Sequence, residues 1–153
     1  MKFKALLVAV LMSTAAQADM IGEVDTAFKL IGPDHKIVVE TFDDPMVQGV
    51  TCVMSRAKKG GISGAIGLAT EVTEASIACR QVGPIVFDGT IGRQEEVFSQ
   101  KMSILFKKMR VVRMVEPKRN MLVYLTYSDK LIDGSPKNSI SAVAVEGQKI
   151  PLK

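Results

Sequence analysis

The chain has 153 residues, with 20 Lys and Arg against 16 Asp and Glu, a single His, two Cys and no Trp. That length suits one ordinary domain with a real hydrophobic core. A balance so near neutral argues against a nucleic-acid binder, and one histidine excludes a histidine-rich metal site.

The first residues, MKFKALLVAVLMSTAAQADM, carry Lys2 and Lys4, an uncharged and largely apolar run from Ala5 to Met12, and the small-residue triplet Ala16-Gln17-Ala18. This is the pattern of a secretory signal peptide over residues 1–18, cleaved after Ala18, and it directs the protein to the periplasm. The run is too short to span a bilayer, no later stretch is long and apolar enough, and no transmembrane segment is expected after cleavage. Position 19 is Asp rather than Cys, so lipid attachment at a new N-terminal cysteine is not indicated. Taking 18 residues from 153 leaves 135, read as one domain over residues 19–153, and losing Lys2 and Lys4 leaves 18 bases against 16 acids.

Strand signals begin at Lys36 to Phe42, KIVVETF, a β-branched run that Asp43-Asp44-Pro45 ends as a turn. Just before it, Gly32-Pro33-Asp34-His35 holds the only histidine. A lone histidine beside Asp34 raises general-base chemistry, but neighbours in an extended chain point to opposite sides, and a turn histidine with a structural hydrogen bond is the simpler reading. In Val50 to Arg56 the residues Val50, Cys52 and Met54 share one face, with Thr51 and Ser55 on the other, so Cys52 is expected to point inward.

Next comes KKGGISGAIGLAT, residues 58–70. A phosphate loop needs a Gly-Lys-Ser/Thr ending, whereas here Lys58 and Lys59 precede Gly61, Gly64 and Gly67, and the dinucleotide spacing G-x-G-x-x-G also fails. The stretch reads as a glycine-rich turn with close backbone packing, or as an anion or ligand contact by backbone N–H groups beside the two lysines. The spacing Ser55-Arg56-Ala57-Lys58 matches S-x-x-K of penicillin-recognising enzymes, but Ser128-Asp129-Lys130 replaces S-D-N and K-T-G is missing.

Thr70 to Val82 fits a helix capped by Thr70 and stopped by Gly83-Pro84, and its second half also fits a strand that brings Cys79 beside Cys52. Two cysteines in an exported protein, with 26 residues between them, point to a Cys52–Cys79 disulfide; C-x-x-C redox spacing and a third metal ligand are both lacking. Val82-Gly83-Pro84 reads as a turn before a short apolar run from Ile85. Between Phe98 and Met109 periods of two and of 3.6 both fit, and the hairpin pattern beyond Met109 favours strand. Met109 to Val115 and Met121 to Tyr127 flank Glu116 to Asn120, a β-hairpin with a five-residue loop. Lys107, Lys108, Arg110, Arg113, Lys118 and Arg119 cluster on this hairpin, as a solvated face and edge protection or as a contact for anionic lipid or polymer. Met54, Met102, Met109, Met114 and Met121 sit at strand periodicity and read as core filling rather than a copper site. A last run covers Ser139 to Val145. The expected fold is mainly antiparallel β, α+β in that one or two short helices are added, one of them between Gly64 and Glu74.

Beyond the periods, the strings Gly32-Pro33-Asp34-His35-Lys36-Ile37-Val38-Val39-Glu40, Phe42-Asp43-Asp44-Pro45, Val50-Thr51-Cys52, Ser55-Arg56-Ala57-Lys58 with Gly60-Gly61-Ile62, Cys79 with Gln81 to Ile85, and Tyr127-Ser128-Asp129-Lys130 with Gly134 to Asn138 resemble the CreA family over about Ile21 to Val145. The resemblance implies an exported protein of Gram-negative bacteria with paired cysteines, named for an operon that also holds a two-component regulatory system. It brings no activity and no catalytic residues, so a link to carbon-source or envelope sensing is association only.

Together these readings describe a periplasmic domain that binds a small ligand or a partner protein, without catalytic residues, cofactor or metal. Asp34, His35, Lys58, Lys59, Gly61 and Gly64 are its candidate contacts. A small envelope hydrolase or transferase using His35 with a nearby carboxylate is the second reading, and a basic surface module is the third.

Overall fold

Eight antiparallel strands form because the chain alternates apolar and polar residues over nearly every segment between its turns. The computed structural model describes residues 17–27, 35–58, 75–102, 108–129 and 137–153. The strands are β1 (Asp19–Ala27), β2 (His35–Asp43), β3 (Val47–Lys58), β4 (Ala75–Phe87), β5 (Gln94–Lys101), β6 (Lys108–Glu116), β7 (Met121–Ser128) and β8 (Asn138–Ala144). They make two four-stranded sheets in simple sequence order, β1-β2-β3-β4 and β5-β6-β7-β8. Among the described residues there is no helix. The helix expected between Gly64 and Glu74 lies outside the described residues. The alternative helix over Thr70 to Val82 gives way to strand from Ala75 onward.

The inner faces of the sheets share one core. Phe42, Val50, Cys52, Met54, Ile77 and Cys79 from the first sheet meet Phe98, Met109, Val111, Leu122, Tyr124 and Val143 from the second. Phe42 and Phe98 stack across the gap with centroids 4.6 Å apart, a contact worth about 0.5 to 1.5 kcal/mol beyond area burial. Val50, Cys52 and Met54 are all buried, as their period demanded, and Met54 and Met109 fill the core.

Cys52 and Cys79 are direct cross-strand partners in β3 and β4 and form the disulfide, with Cα atoms 3.9 Å apart. The Cys79 N–H donates to the Ser141 hydroxyl of β8 at 2.8 Å, and the Ile77 N–H reaches Ser139 Oγ at 3.3 Å. Serine hydroxyls thus join the two sheets along the β4/β8 seam, satisfying edge donors whose burial without a partner would cost about 1 to 3 kcal/mol each.

Three expectations are corrected. Val82-Gly83-Pro84 is no turn between elements but a bulge inside β4, where the register jumps from Val86 opposite Gln48 to Gln81 opposite Val50. Gly49 makes room for it: at φ +81° it faces the Pro84 carbonyl so closely that a Cβ would stand 2.3 Å from that oxygen. The hairpin of β6 and β7 closes on the pair Glu116 and Met121, so its loop is Pro117 to Asn120, one residue shorter than expected. Arg113, expected on a solvated face, is fully buried, and β6 lies between β5 and β7 rather than at an edge.

Candidate functional site

The two ends of the sandwich differ in chemistry. At one end stand the short turns. Asp44, between β2 and β3, accepts the Met46 N–H at 2.9 Å and points its carboxylate into the core. Arg113 of β6 donates Nη1 to both Asp44 oxygens, at 2.6 and 2.8 Å, and Nη2 to Glu95 of β5. The Tyr124 hydroxyl of β7 donates to Asp44 at 2.8 Å, and burial, reinforced by that carboxylate, pushes the phenol far above its ordinary pKa. Glu95 also accepts from Lys153 Nζ at 3.0 Å, a bond that holds its carboxyl below the usual carboxylate range. The C-terminal segment is tied in beside it: the Ile91 N–H bonds to the Pro151 carbonyl at 2.8 Å and the Lys153 N–H to that of Ile91 at 3.0 Å. Asn120, at φ 53°, donates its amide to the Val145 and Gln148 carbonyls and accepts from the Ile150 N–H. This end is cross-braced, with the Arg113, Tyr124 and Asp44 side chains sealed from solvent and Arg113 Nε alone of the guanidinium nitrogens without a partner, and it has the character of a clamp between sheets.

The other end gathers the remaining strand termini. The strand ends Ala27, His35, Lys58, Ala75, Lys101, Lys108, Ser128 and Asn138 gather there, because β4 and β8 start side by side and their neighbours alternate in direction. A cleft of about 520 Å³ opens beside the beginning of β4. Its walls are Ile37 of β2, Ser55, Arg56 and Ala57 of β3, Ala75 and Ser76 of β4, and Lys137, Asn138 and Ser139 at the start of β8. Arg56 occupies an inward position of β3, in phase with Cys52 and Met54. Its counter-ion is Glu40 of β2, which accepts from Nε at 3.0 Å and Nη2 at 3.1 Å. The side chains are only 12 % and 8 % exposed, so the pair is a rigid fork held at the floor of the opening rather than a floating surface bridge.

Of the candidate residues from the sequence, Lys58 and His35 fall at this end. Lys58 closes β3, exposed, and stands opposite Lys36 of β2. His35 begins β2, half-buried, with its carbonyl accepting from Thr26 Oγ1 at 3.1 Å. Its Nδ1 is buried and without a partner, and among the described residues no carboxylate is bonded to the ring. Asp34, Lys59, Gly61 and Gly64 lie outside the described residues. Among the described residues no group of three or more His, Cys, Asp and Glu is placed to hold a metal ion.

The basic cluster of the hairpin is divided by the structure. Arg110 pairs with Glu96 and with Asp129 just beyond β7, Arg113 is internal, and Arg119 reaches Glu116 at 3.7 Å. Sequence reasoning missed Glu40 and Arg56 as a pair, as it missed the Asp44, Arg113 and Tyr124 clamp. The available signal was parity. Arg56 continues the inward series Cys52 and Met54, and Arg113 the series Met109 and Val111, so each charge falls where an apolar residue belongs.

A family model described as "CreA protein" matches residues 21–148. Protein CreA of Escherichia coli strain K12 is 53% identical over 152 residues, covering 95% of this chain and 97% of that relative. Protein CreA of Escherichia coli O157:H7 matches to the same extent. No solved structure matches the chain.

Proposed function

This chain belongs to the CreA family, and from that premise we propose that it is an exported, periplasmic binding domain whose ligand or partner is received in the cleft beside the start of β4. The observation that carries the reading is the cleft itself. It is formed by four strands of two sheets, is floored by a charged fork, and lies at the end of the sandwich where Lys58 and His35 stand. An ion pair at an inward strand position costs desolvation that a pair of apolar residues would avoid, which favours a role in recognition over one in stability. Export is supported by Lys2, Lys4, the apolar run and the Ala16-Gln17-Ala18 triplet. The opposite end, cross-braced and closed, serves as the rigid base that such a site needs. A link to envelope or carbon-source signalling is the role this binding would serve.

The test is fractionation of cells followed by native mass spectrometry of the protein released from the periplasm. The reading predicts a processed chain beginning near Asp19, oxidised at its cysteines and carrying a non-covalent mass or a partner. A cytoplasmic, unprocessed protein would overturn the export half of the reading, and a bare chain under gentle release would count against the binding half.

A further inference from the structure

We infer that the cleft takes a small anion with an apolar body, a carboxylate or phosphate ester in chemical class; this rests on the binding reading above. The first support is charge. Arg56 and Lys137 line the cleft, and among the described residues no carboxylate does. Glu40 holds Nε and Nη2 of Arg56 from behind, which fixes the guanidinium plane and turns its Nη1 edge away from that bond. Lys58, the residue after the cleft-lining Ala57, stands opposite Lys36, and like charges facing each other across a strand pair are unfavourable. Glu23 compensates Lys36 at 2.6 Å, while Lys58 has no ion pair among the described residues. An anion at the mouth relieves this excess.

The second support is the placement of donors. Ser55, Ser76 and Ser139 set hydroxyls in the walls, and Asn138 adds an amide. Ser139 Oγ already accepts the Ile77 N–H, so its own hydrogen is the part left to donate. Donors of this kind beside cations are the chemistry of carboxylate and phosphate recognition.

The third support is apolar surface continuous with the cleft. Ile37, Ala57 and Ala75 form its non-polar wall. Val24, Ile37 and Ala57 are cross-strand partners in one row of the outer sheet face, and Val24 is 64 % exposed and Ile37 41 %. An apolar body leaving the anionic group finds this row beside it. Among the described residues no aromatic side chain lines the cleft.

The experiment is a titration of the oxidised exported chain, followed by amide nuclear magnetic resonance, with hexyl phosphate, hexanoate, inorganic phosphate and neutral hexanol, and separately with phosphatidylglycerol vesicles. Hexyl phosphate and hexanoate are expected to shift the amides of Ile37, Ser55 to Ala57, Ser76 and Ser139, with inorganic phosphate weaker and hexanol without effect. Binding should weaken several-fold between about 20 and about 200 mM salt. Lys137→Gln should weaken hexyl phosphate about fivefold, and Lys58→Gln by a similar factor, with the spectrum elsewhere unchanged. A response to vesicles without one to free hexyl phosphate supports the same anionic chemistry and assigns it to a lipid headgroup. Hexanol binding as well as hexyl phosphate, or lysine variants without effect, overturns the anion inference and leaves the binding reading standing. Silence from every probe at the cleft amides overturns both.

Discussion

Replacing Arg113 by Met isolates the energetics of the closed end. The substitution keeps the apolar stem and removes a guanidinium that makes two bonds to Asp44 and one to Glu95 in a fully buried setting. Asp44 retains only the Tyr124 hydroxyl and the Met46 N–H, so a buried carboxylate loses its counter-charge. Breaking a buried pair in this way costs about 3 to 5 kcal/mol, a large share of the roughly 5 to 15 kcal/mol that hold a domain together. For a chain of this size the loss lowers Tm by roughly 10 to 20 °C. The informative comparison is the double variant Arg113→Met with Asp44→Asn, which removes both charges. Its stability should recover part of the loss, with a coupling energy of at least about 2 kcal/mol in a double-mutant cycle read by urea unfolding. Additive effects, or a loss below about 1 kcal/mol for Arg113→Met alone, would refute the sealed-clamp argument.

Three further perturbations test other parts of the fold. Replacing both Cys52 and Cys79 by Ala opens the covalent loop that spans 27 positions and should cost about 3 to 4 kcal/mol in urea unfolding on the chain-entropy model; an unchanged midpoint would contradict it. Gly49→Ala places a Cβ against the Pro84 carbonyl at φ +81°, so at least about 1 to 2 kcal/mol is lost and amide exchange should quicken through the β4 bulge, an outcome absent if Gly49 is merely a turn residue. Glu95, held below the ordinary glutamate pKa first by the Lys153 hydrogen bond, contributes stability that is present above that ordinary value and is lost as pH falls through the lowered folded-state value. Glu95→Gln should therefore reduce the drop in urea midpoint between neutral and strongly acidic solution, and an acid limb as steep as the native one would contradict the assignment.

The strands that form the core were legible because their signal is local. Val50, Cys52 and Met54 announce an inward face within five residues, and the run Lys36 to Phe42 ends at an Asp-Asp-Pro turn that the structure keeps. The disulfide was legible from the cysteine count together with the export pattern expected of the first residues. What sequence reasoning missed depends on distant partners. Gly83-Pro84 carries the composition of a turn, and only the close approach of Gly49, more than thirty positions earlier, shows that it is a bulge. Arg113 looked like one of six surface bases because nothing adjacent to it reveals Asp44, 69 positions away. Of the candidate contacts, Lys58 and His35 sit at strand ends because those ends are set by pairing, whereas the cleft walls from β4 and β8 meet along the serine seam, which no local pattern announces.

Site-specific photo-crosslinking in intact cells tests the central claim most directly. A crosslinkable residue at Ile37 or Ser76 sits in the cleft wall, and one at Lys118 marks the closed end. The account predicts adducts from the two cleft positions, reduced by excess anionic ligand, and none from Lys118. Equal labelling at both ends, or labelling at Lys118 alone, contradicts it.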